Sequence, residues 1–340
     1  MTTTFETEIR AQGDILRARA ARGAQSARAA ADSWRDVTHL VVAARGSSDN
    51  GAVFFQYLAG QELGLLVALA APSLYEGAQQ VTLRGAGVLA ISQSGRSPGI
   101  VDVLAQARAQ GCATAAVTND ATSPLALASD HVLELFAGPE RAIASTKTLS
   151  TTWHALAQLV QALGTRPLAG LEELPDVVER TAQWALQEDL PLDLLNVRGL
   201  TMVGRGVGYA AAAEIALKVR EVSGVRAEAY AAPDYLHGPI GADGDGCCAV
   251  VVVTDELSDA VLRELLVGCR ESGMSTVVMR PASREAPECD AQIVLPATSP
   301  NWVGALAAVV VGQVLALRLG EVRGRPIDTS PRLSKVTLSA

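Results

Sequence analysis

The sequence predicts an α/β chain with two mostly parallel sheets, each flanked by helices. Three observations carry this reading. Short apolar runs alternate with helical patterns of ten or more residues, as expected of strand–helix–strand units in a parallel sheet. The alternation occurs twice at a matching offset: Gly46 to Gly206 is 160 residues, and Gly111 to Gly273 is 162. Apolar residues make up 49% of the chain, yet only 4 Phe, 4 Trp and 5 Tyr are present. The core is therefore built from Ala, Val, Leu and Ile, which suits strands buried on both faces.

The elements follow in order. Residues 1–36 read as a polar-faced helical segment with an apolar stripe at Ile9, Ile15 and Leu16. A first domain, 37–165, opens with the strand pattern His39 to Ala44, which runs into Arg45-Gly-Ser-Ser48. A helix from Gly51 to Leu63 follows, then the strand Val88 to Ile91, ending in Ser92-Gln-Ser-Gly95. Ile100 to Gln110 reads as a helix that Gly111 terminates, Ala113 to Val117 and His131 to Phe136 as strands, and Ser145 to Leu163 as a long helix. Residues 166–196, with Pro167, Pro175 and Pro191, form a connecting helical segment. A second domain, 197–320, repeats the pattern. Its strands are Gly199 to Val203, Cys248 to Thr254, Thr276 to Met279 and Gln292 to Leu295. Its helices are Ala210 to Val222, Ala260 to Glu271 and Asn301 to Leu319. Residues 321–340 form a polar tail.

Composition narrows the function. The net charge is −8 and aromatics are few, which argues against nucleic-acid binding but leaves room for a local anion site. The five cysteines form no C-x-x-C pair or His/Cys cluster, so neither a disulfide framework nor a metal site is expected, and a reducing cytoplasm fits. The N-terminus lacks the apolar core of a signal peptide. The apolar stretch Trp302 to Leu317 is short for a membrane span, and a buried core helix is expected there.

Two loops stand out. Arg45-Gly-Ser-Ser-Asp-Asn50 and Ser92-Gln-Ser-Gly-Arg-Ser97 each place hydroxyls and free backbone N–H groups at a helix N-terminus after a strand. Singly, each reads as a helix cap. Together in one domain they point to a phosphate in the crevice where open α/β sheets bind ligands. Ala144-Ser-Thr-Lys147 is either a third such loop or an ordinary N-cap. Gly204-Arg-Gly-Val-Gly208 reads as a tight strand-to-helix turn, not a dinucleotide fingerprint, because Tyr209 stands where the last glycine belongs. Glu214, Lys218 and Glu221 share a helix face, and a turn-rich segment from Glu228 to Pro239 carries His237, a group suited to acid/base work. His39, His131 and His154 read as structural. Lys335, in a polar tail, is an ordinary solvated lysine by position, although an amine near a carbonyl forms a Schiff base.

These motifs resemble tandem SIS (sugar isomerase) proteins, in particular the isomerase half of glutamine–fructose-6-phosphate amidotransferases. Gly46-Ser-Ser48, Ser92-Gln-Ser-Gly95, Ala144-Ser-Thr-Lys147, Glu214 to Pro239 and Pro331-Arg-Leu-Ser-Lys335 carry the resemblance in order, over nearly the whole chain. It implies two SIS domains, each a flavodoxin-like three-layer α/β/α unit. It assigns the sugar phosphate to Ser47, Ser48, Ser92, Gln93, Ser94 and Ser97, and further polar site positions to Ser145, Lys218 and Glu140. It makes Glu221 the base for C1–C2 proton transfer, His237 the aid to ring opening, contributed by a neighbouring subunit, and Lys335 the amine that meets the open-chain carbonyl. A homodimer, no cofactor, no metal, and no nucleic-acid or membrane partner are implied. The departures are Ser47 and Ser97 for Thr, Arg96 for an acidic residue, Arg220 for Lys, and no glutaminase segment before residue 36. The implied reaction is glucosamine 6-phosphate to fructose 6-phosphate plus ammonia. A ketose/aldose phosphate isomerase, a fructosamine-6-phosphate deglycase and a non-catalytic sugar-phosphate sensor are the alternatives.

Overall fold

The computed structural model describes residues 2–75, 81–296, 299–329 and 335. In chain order the elements are α1 (Thr4–Arg10), α2 (Gln12–Ser33), β1 (His39–Ala43), α3 (Ser47–Leu63), β2 (Leu66–Leu69), β3 (Ala86–Ile91), α4 (Pro98–Ala109), β4 (Thr114–Thr118), α5 (Pro124–Leu127), β5 (His131–Glu134), α6 (Lys147–Leu163), α7 (Leu174–Ala185), α8 (Leu192–Leu195), β6 (Gly199–Gly204), α9 (Val207–Lys218), β7 (Arg226–Ala231), α10 (Ala232–Leu236), β8 (Cys247–Val252), α11 (Asp259–Glu271), β9 (Ser275–Pro281), β10 (Ala291–Leu295) and α12 (Asn301–Val322). They fall into two compact units, both discontinuous in sequence. One comprises Asp14–Glu140, Lys147–Glu172 and Ser334–Ala340; the other comprises Met1–Gly13, Arg141–Thr146 and Glu173–Leu333.

The first-sheet unit holds five parallel strands in the order β2-β1-β3-β4-β5. All six residues of β3 and all five of β4 are buried, because both are interior strands that helices cover. Val42 lies opposite Leu89 in the β1–β3 register. The strand order reverses between β1 and β3, so the chain leaves these neighbours in opposite directions and opens a crevice at their carboxyl ends. Helices α3 and α6 pack together through stacked Phe54 and Trp153 rings, 4.1 Å between centroids. Pro98 sits in the first turn of α4, where its missing N–H costs nothing.

The second-sheet unit has the order β10-β9-β8-β6-β7, which read from its other edge is the same winding. Its central helix, α12, is apolar on all sides and long enough to cross a membrane, but 94% of its most apolar window is buried inside the protein. It packs on α9 and α7. A Cβ at Gly312 would stand 2.5 Å from Ile215 Cγ1, so the close approach of α12 to α9 depends on that glycine. The expected buried core helix is present and runs on to Val322.

Several sequence expectations are corrected. Strand β2 was not anticipated: it has four residues and alternates poorly, with Leu66 and Leu69 exposed at the sheet edge. The segment expected to be a turn-rich loop from Glu228 begins as strand β7, so Glu228 and Tyr230 belong to a sheet. Polar residues on an edge strand hide its period from a reading of apolar runs. The helix expected over 210–222 ends at Lys218 and continues as a single π-helical turn, Val219–Ser223. Of the tail, residues 330–334 and 336–340 lie outside the described residues, including all of the Pro331-to-Lys335 motif except Lys335.

Candidate functional site

The two serine loops lie at neighbouring strand ends of the first-sheet unit. Strands β1 and β3 are hydrogen-bonded neighbours, and each runs at its carboxyl end into one of the two serine loops. Ser47 and Ser48 open α3. Gly46 precedes them with φ 62° and accepts at its carbonyl from Asp49 N (2.9 Å) and Asn50 N (3.2 Å). That left-handed geometry lets the backbone turn sharply from strand to helix, and only glycine adopts it without strain. Among the described residues nothing would stand within 4 Å of a Cβ at Gly46, so the space over the turn is open.

The second loop is held by its own hydroxyls. Ser92 Oγ accepts from Gly95 N (3.2 Å) and lies 3.4 Å from Ser97 Oγ. Ser94 Oγ accepts from Arg96 N at 3.3 Å. The Gln93 carbonyl accepts from Asn119 N (3.0 Å) and Thr118 Oγ1 (3.3 Å). Gly95, at φ 63°, presses so close to Ser123 that a Cβ would lie 2.0 Å from its Oγ. Six predicted residues, Ser47, Ser48, Ser92, Gln93, Ser94 and Ser97, thus come from two adjacent strand ends, both at helix N-termini. This arrangement favours an anion by orphan N–H groups and helix dipoles. Arg96 is tied to Asp120 at 2.9 Å and is half-exposed.

Glu140 and Lys335 belong to the same unit and meet there. Glu140 is buried and accepts from Lys335 Nζ (2.6 Å), Thr148 Oγ1 (2.6 Å) and Thr148 N (3.0 Å). Burial pushes its carboxyl up, but the Lys335 ammonium and the Thr148 hydrogen bonds outweigh burial and hold it below its ordinary range. Lys335 is therefore not the solvated terminal lysine its position suggests.

The second-sheet unit carries the other predicted groups. Lys218, fully buried at the end of α9, donates to Glu221 Oε2 at 2.5 Å and lies 3.4 Å from Glu214 Oε1. Burial lowers the ammonium pKa, yet the two carboxylates more than compensate and raise it. Glu221 sits on the π-helical turn with its side chain 23% exposed, accessible while Glu214 is not. A π turn re-aims side chains relative to a regular helix and is frequent at functional sites. His237 caps the short helix α10 and is exposed. Ser145 lies half-buried in the segment Arg141–Thr146. At the corresponding switch point of this unit, Gly206 repeats the Gly46 geometry (φ 57°, ψ −131°), but the Glu256 side chain fills the space over it, 2.9 Å from a Cβ position.

Sequence reasoning did not single out Thr148 and Asn119. Thr148 supplies two of the hydrogen bonds on Glu140, and Asn119 braces the Gln93 loop. Asn119 had one legible signal, its place at the carboxyl end of a predicted strand next to the second serine loop. Thr148 had none, since its partner is fixed only by the fold.

Comparisons with known proteins place this geometry. Residues 34–162 match the SIS domain family model. Residues 34–162 of the first-sheet unit thus resemble a SIS domain, and the chain as a whole is similar to part of glutamine–fructose-6-phosphate aminotransferases. It is 30% identical over 315 residues to the aminotransferase of Symbiobacterium thermophilum, and 30% identical over 321 residues to that of Streptomyces coelicolor, covering 88% of this chain and 52% of the relative in each case. The chain thus spans about half the length of the curated relatives it matches. Among solved structures, one from Silicibacter pomeroyi assigned to the phosphosugar isomerases has a TM-score of 0.81 and 28% identity, over 96% of this chain and 99% of that one. Glucosamine-6-phosphate deaminase from Thermotoga maritima has a TM-score of 0.80 and 20% identity, over 99% and 100%, and shares the fold. The expectation of two SIS domains is corrected to one: the family match is single, although the second sheet repeats the strand order.

Proposed function

We propose that the protein is a phosphosugar isomerase of the SIS class acting on an amino sugar, converting glucosamine 6-phosphate to fructose 6-phosphate and ammonia. The observation that carries this reading is the pair of serine loops at the carboxyl ends of the neighbouring strands β1 and β3, each leading into a helix N-terminus. The phosphate is taken by Ser47, Ser48, Ser92, Gln93, Ser94 and Ser97, with Ser145 and Glu140 as further polar groups. A phosphate anchor fixes the six-carbon chain and makes the proton transfer effectively intramolecular.

His237, supplied by the partner in a homodimer, assists opening of the sugar ring to the aldehyde. Glu221 removes the C2 proton, which leaves an enolamine; the proton returns to C1 and the nitrogen remains at C2 as an imine. Water adds to that imine and ammonia leaves, giving the ketone of fructose 6-phosphate. Lys218 holds Glu221 in place, and Lys335 meets the open-chain carbonyl. The exposure of Glu221 beside a buried Lys218 supports its role as the group that reaches substrate. The fold is one that a glucosamine-6-phosphate deaminase and a ketose/aldose isomerase both share, so the choice of reaction rests on the assay below. A cytoplasmic enzyme fits five free cysteines.

The test is ammonia release from glucosamine 6-phosphate, with fructose 6-phosphate measured in parallel. Equal amounts of both are expected. Interconversion of ketose and aldose phosphates without ammonia favours the plain isomerase, and tight binding of the sugar phosphate with no turnover favours the sensor.

A further inference from the structure

The Gln93 loop and the carboxylate that holds Lys335 are joined through one residue, Asn119, by its backbone on one side and its side chain on the other. Its backbone N–H donates to the Gln93 carbonyl at 3.0 Å. Its side chain clamps the segment that follows β5: Oδ1 accepts from Ala137 N at 2.9 Å and Nδ2 donates to Gly138 O at 2.9 Å. Two residues further on, Glu140 accepts from Lys335. The clamped segment is under strain at its start. Phe136 has φ 52°, the one positive φ at a non-glycine residue among the described residues, and Arg22 lies over its ring at 5.4 Å. A phenylalanine held there costs about 1–3 kcal/mol and persists only where its surroundings over-determine it. Asn119 supplies two of those determinants. Lys147 supplies a third, donating from Nζ to Pro139 O at 2.7 Å.

The composition sharpens this. The chain has three lysines, Lys147, Lys218 and Lys335. Two of the three are bound to the segment 136–140, one at Pro139 and one at Glu140.

We propose that Asn119 is a positioning residue: its side chain clamps the strained segment 136–140 to the strand end that also holds the Gln93 loop, and through Glu140 it sets where the Lys335 amine stands. The proposal rests on the reading of Lys335 as the amine that meets the carbonyl. Its physical content, a coupling of Asn119 to Lys335, is testable without any sugar.

The test is pulse acetylation of the full-length chain with an amine-reactive ester, read by mass spectrometry at each of the three lysines. Asn119→Asp keeps the shape but replaces the donor facing Gly138 O with an acceptor. Lys335 is expected to acetylate about five-fold or more faster in N119D, the effect of losing one hydrogen bond's worth of restraint. E140Q is expected to give a similar rise, and the double variant no more than E140Q alone, because the two residues act on one chain of contacts. Buried Lys218 reports on folding and stays slow throughout. If N119D also exposes Lys218, N119S, which removes both side-chain bonds without adding charge, decides by the same criteria. A Lys335 rate within about two-fold of wild type in the folded Asn119 variant overturns the proposal, as does multiplication of the two single effects in the double variant. Failure of ammonia release with the labelling pattern intact would instead reject the reaction and leave the coupling standing.

Discussion

Lys335 Nζ and Glu140 Oε2 lie 2.6 Å apart across 195 positions of sequence. The carboxylate is buried and the amine about one-fifth exposed, so the pair ties Lys335 to the interior of the first-sheet unit. Glu140→Gln removes the charge and keeps the shape. Its unfolding free energy at pH 7 is expected to fall by about 1.5–3 kcal/mol, toward the lower end because Lys335 is partly solvated. Folded Glu140 gives up its proton more readily than the unfolded side chain, whose ordinary pKa is 4.5. The stabilisation is therefore complete above that value and is lost as the pH falls through the lower folded pKa. Urea unfolding of wild type and E140Q should accordingly diverge at pH 7 and converge in acid.

A second pH dependence comes from His154. It is buried, and its Nδ1 lies 2.6 Å from Arg19 Nη1, a guanidinium that is itself fully buried and pushed down to about 9 by burial. Burial, with the neighbouring Arg19 charge, pushes His154 down to about 3. Between pH 6.5 and about 3 the unfolded chain therefore binds a proton that the folded chain refuses, and stability falls as the pH falls. The expected slope is at most about 1.4 kcal/mol per pH unit from this group. His154→Gln, which keeps an acceptor for Arg19, should flatten that part of a stability–pH curve.

Glu221→Gln is expected to lower kcat by about two to four orders of magnitude, the usual range for loss of a general base. Binding of fructose 6-phosphate, followed by titration calorimetry, should change little. Unchanged kcat would reject Glu221 as the base. Lys218→Met should act differently: it leaves buried Glu214 without its cation 3.4 Å away and costs stability by about 3–5 kcal/mol, visible in denaturant unfolding before any assay.

Two glycines of the serine loops should respond unequally to alanine. Gly46 needs a positive φ but has open space, so Gly46→Ala is expected to cost about 1–2 kcal/mol and to weaken phosphate binding by disturbing Ser47 and Ser48. Gly95 needs the same φ and also meets Ser123, whose Oγ accepts from Ala126 N and caps α5. Gly95→Ala is expected to cost more than about 3 kcal/mol. Thermal unfolding of the two variants side by side checks the ranking.

The sequence by itself determined the twice-repeated alternation of strands and helices, the buried central helix and the two serine loops. Each is written in local signals: apolar runs of strand length, glycines at strand ends, hydroxyls at helix starts. Strand β7 escaped because its mixed polar and apolar residues resemble a loop, and β2 because it is four apolar residues long and follows closely on α3. The tertiary structure alone decided that Lys335 sits on Glu140, that Asn119 bridges the Gln93 loop to the segment 136–140, and that Phe136 is held at a positive φ. These depend on contacts between residues far apart in the chain. No local pattern encodes them, because the energy that selects a pairing across 195 positions comes from burial and complementary charge once the fold has brought the partners together.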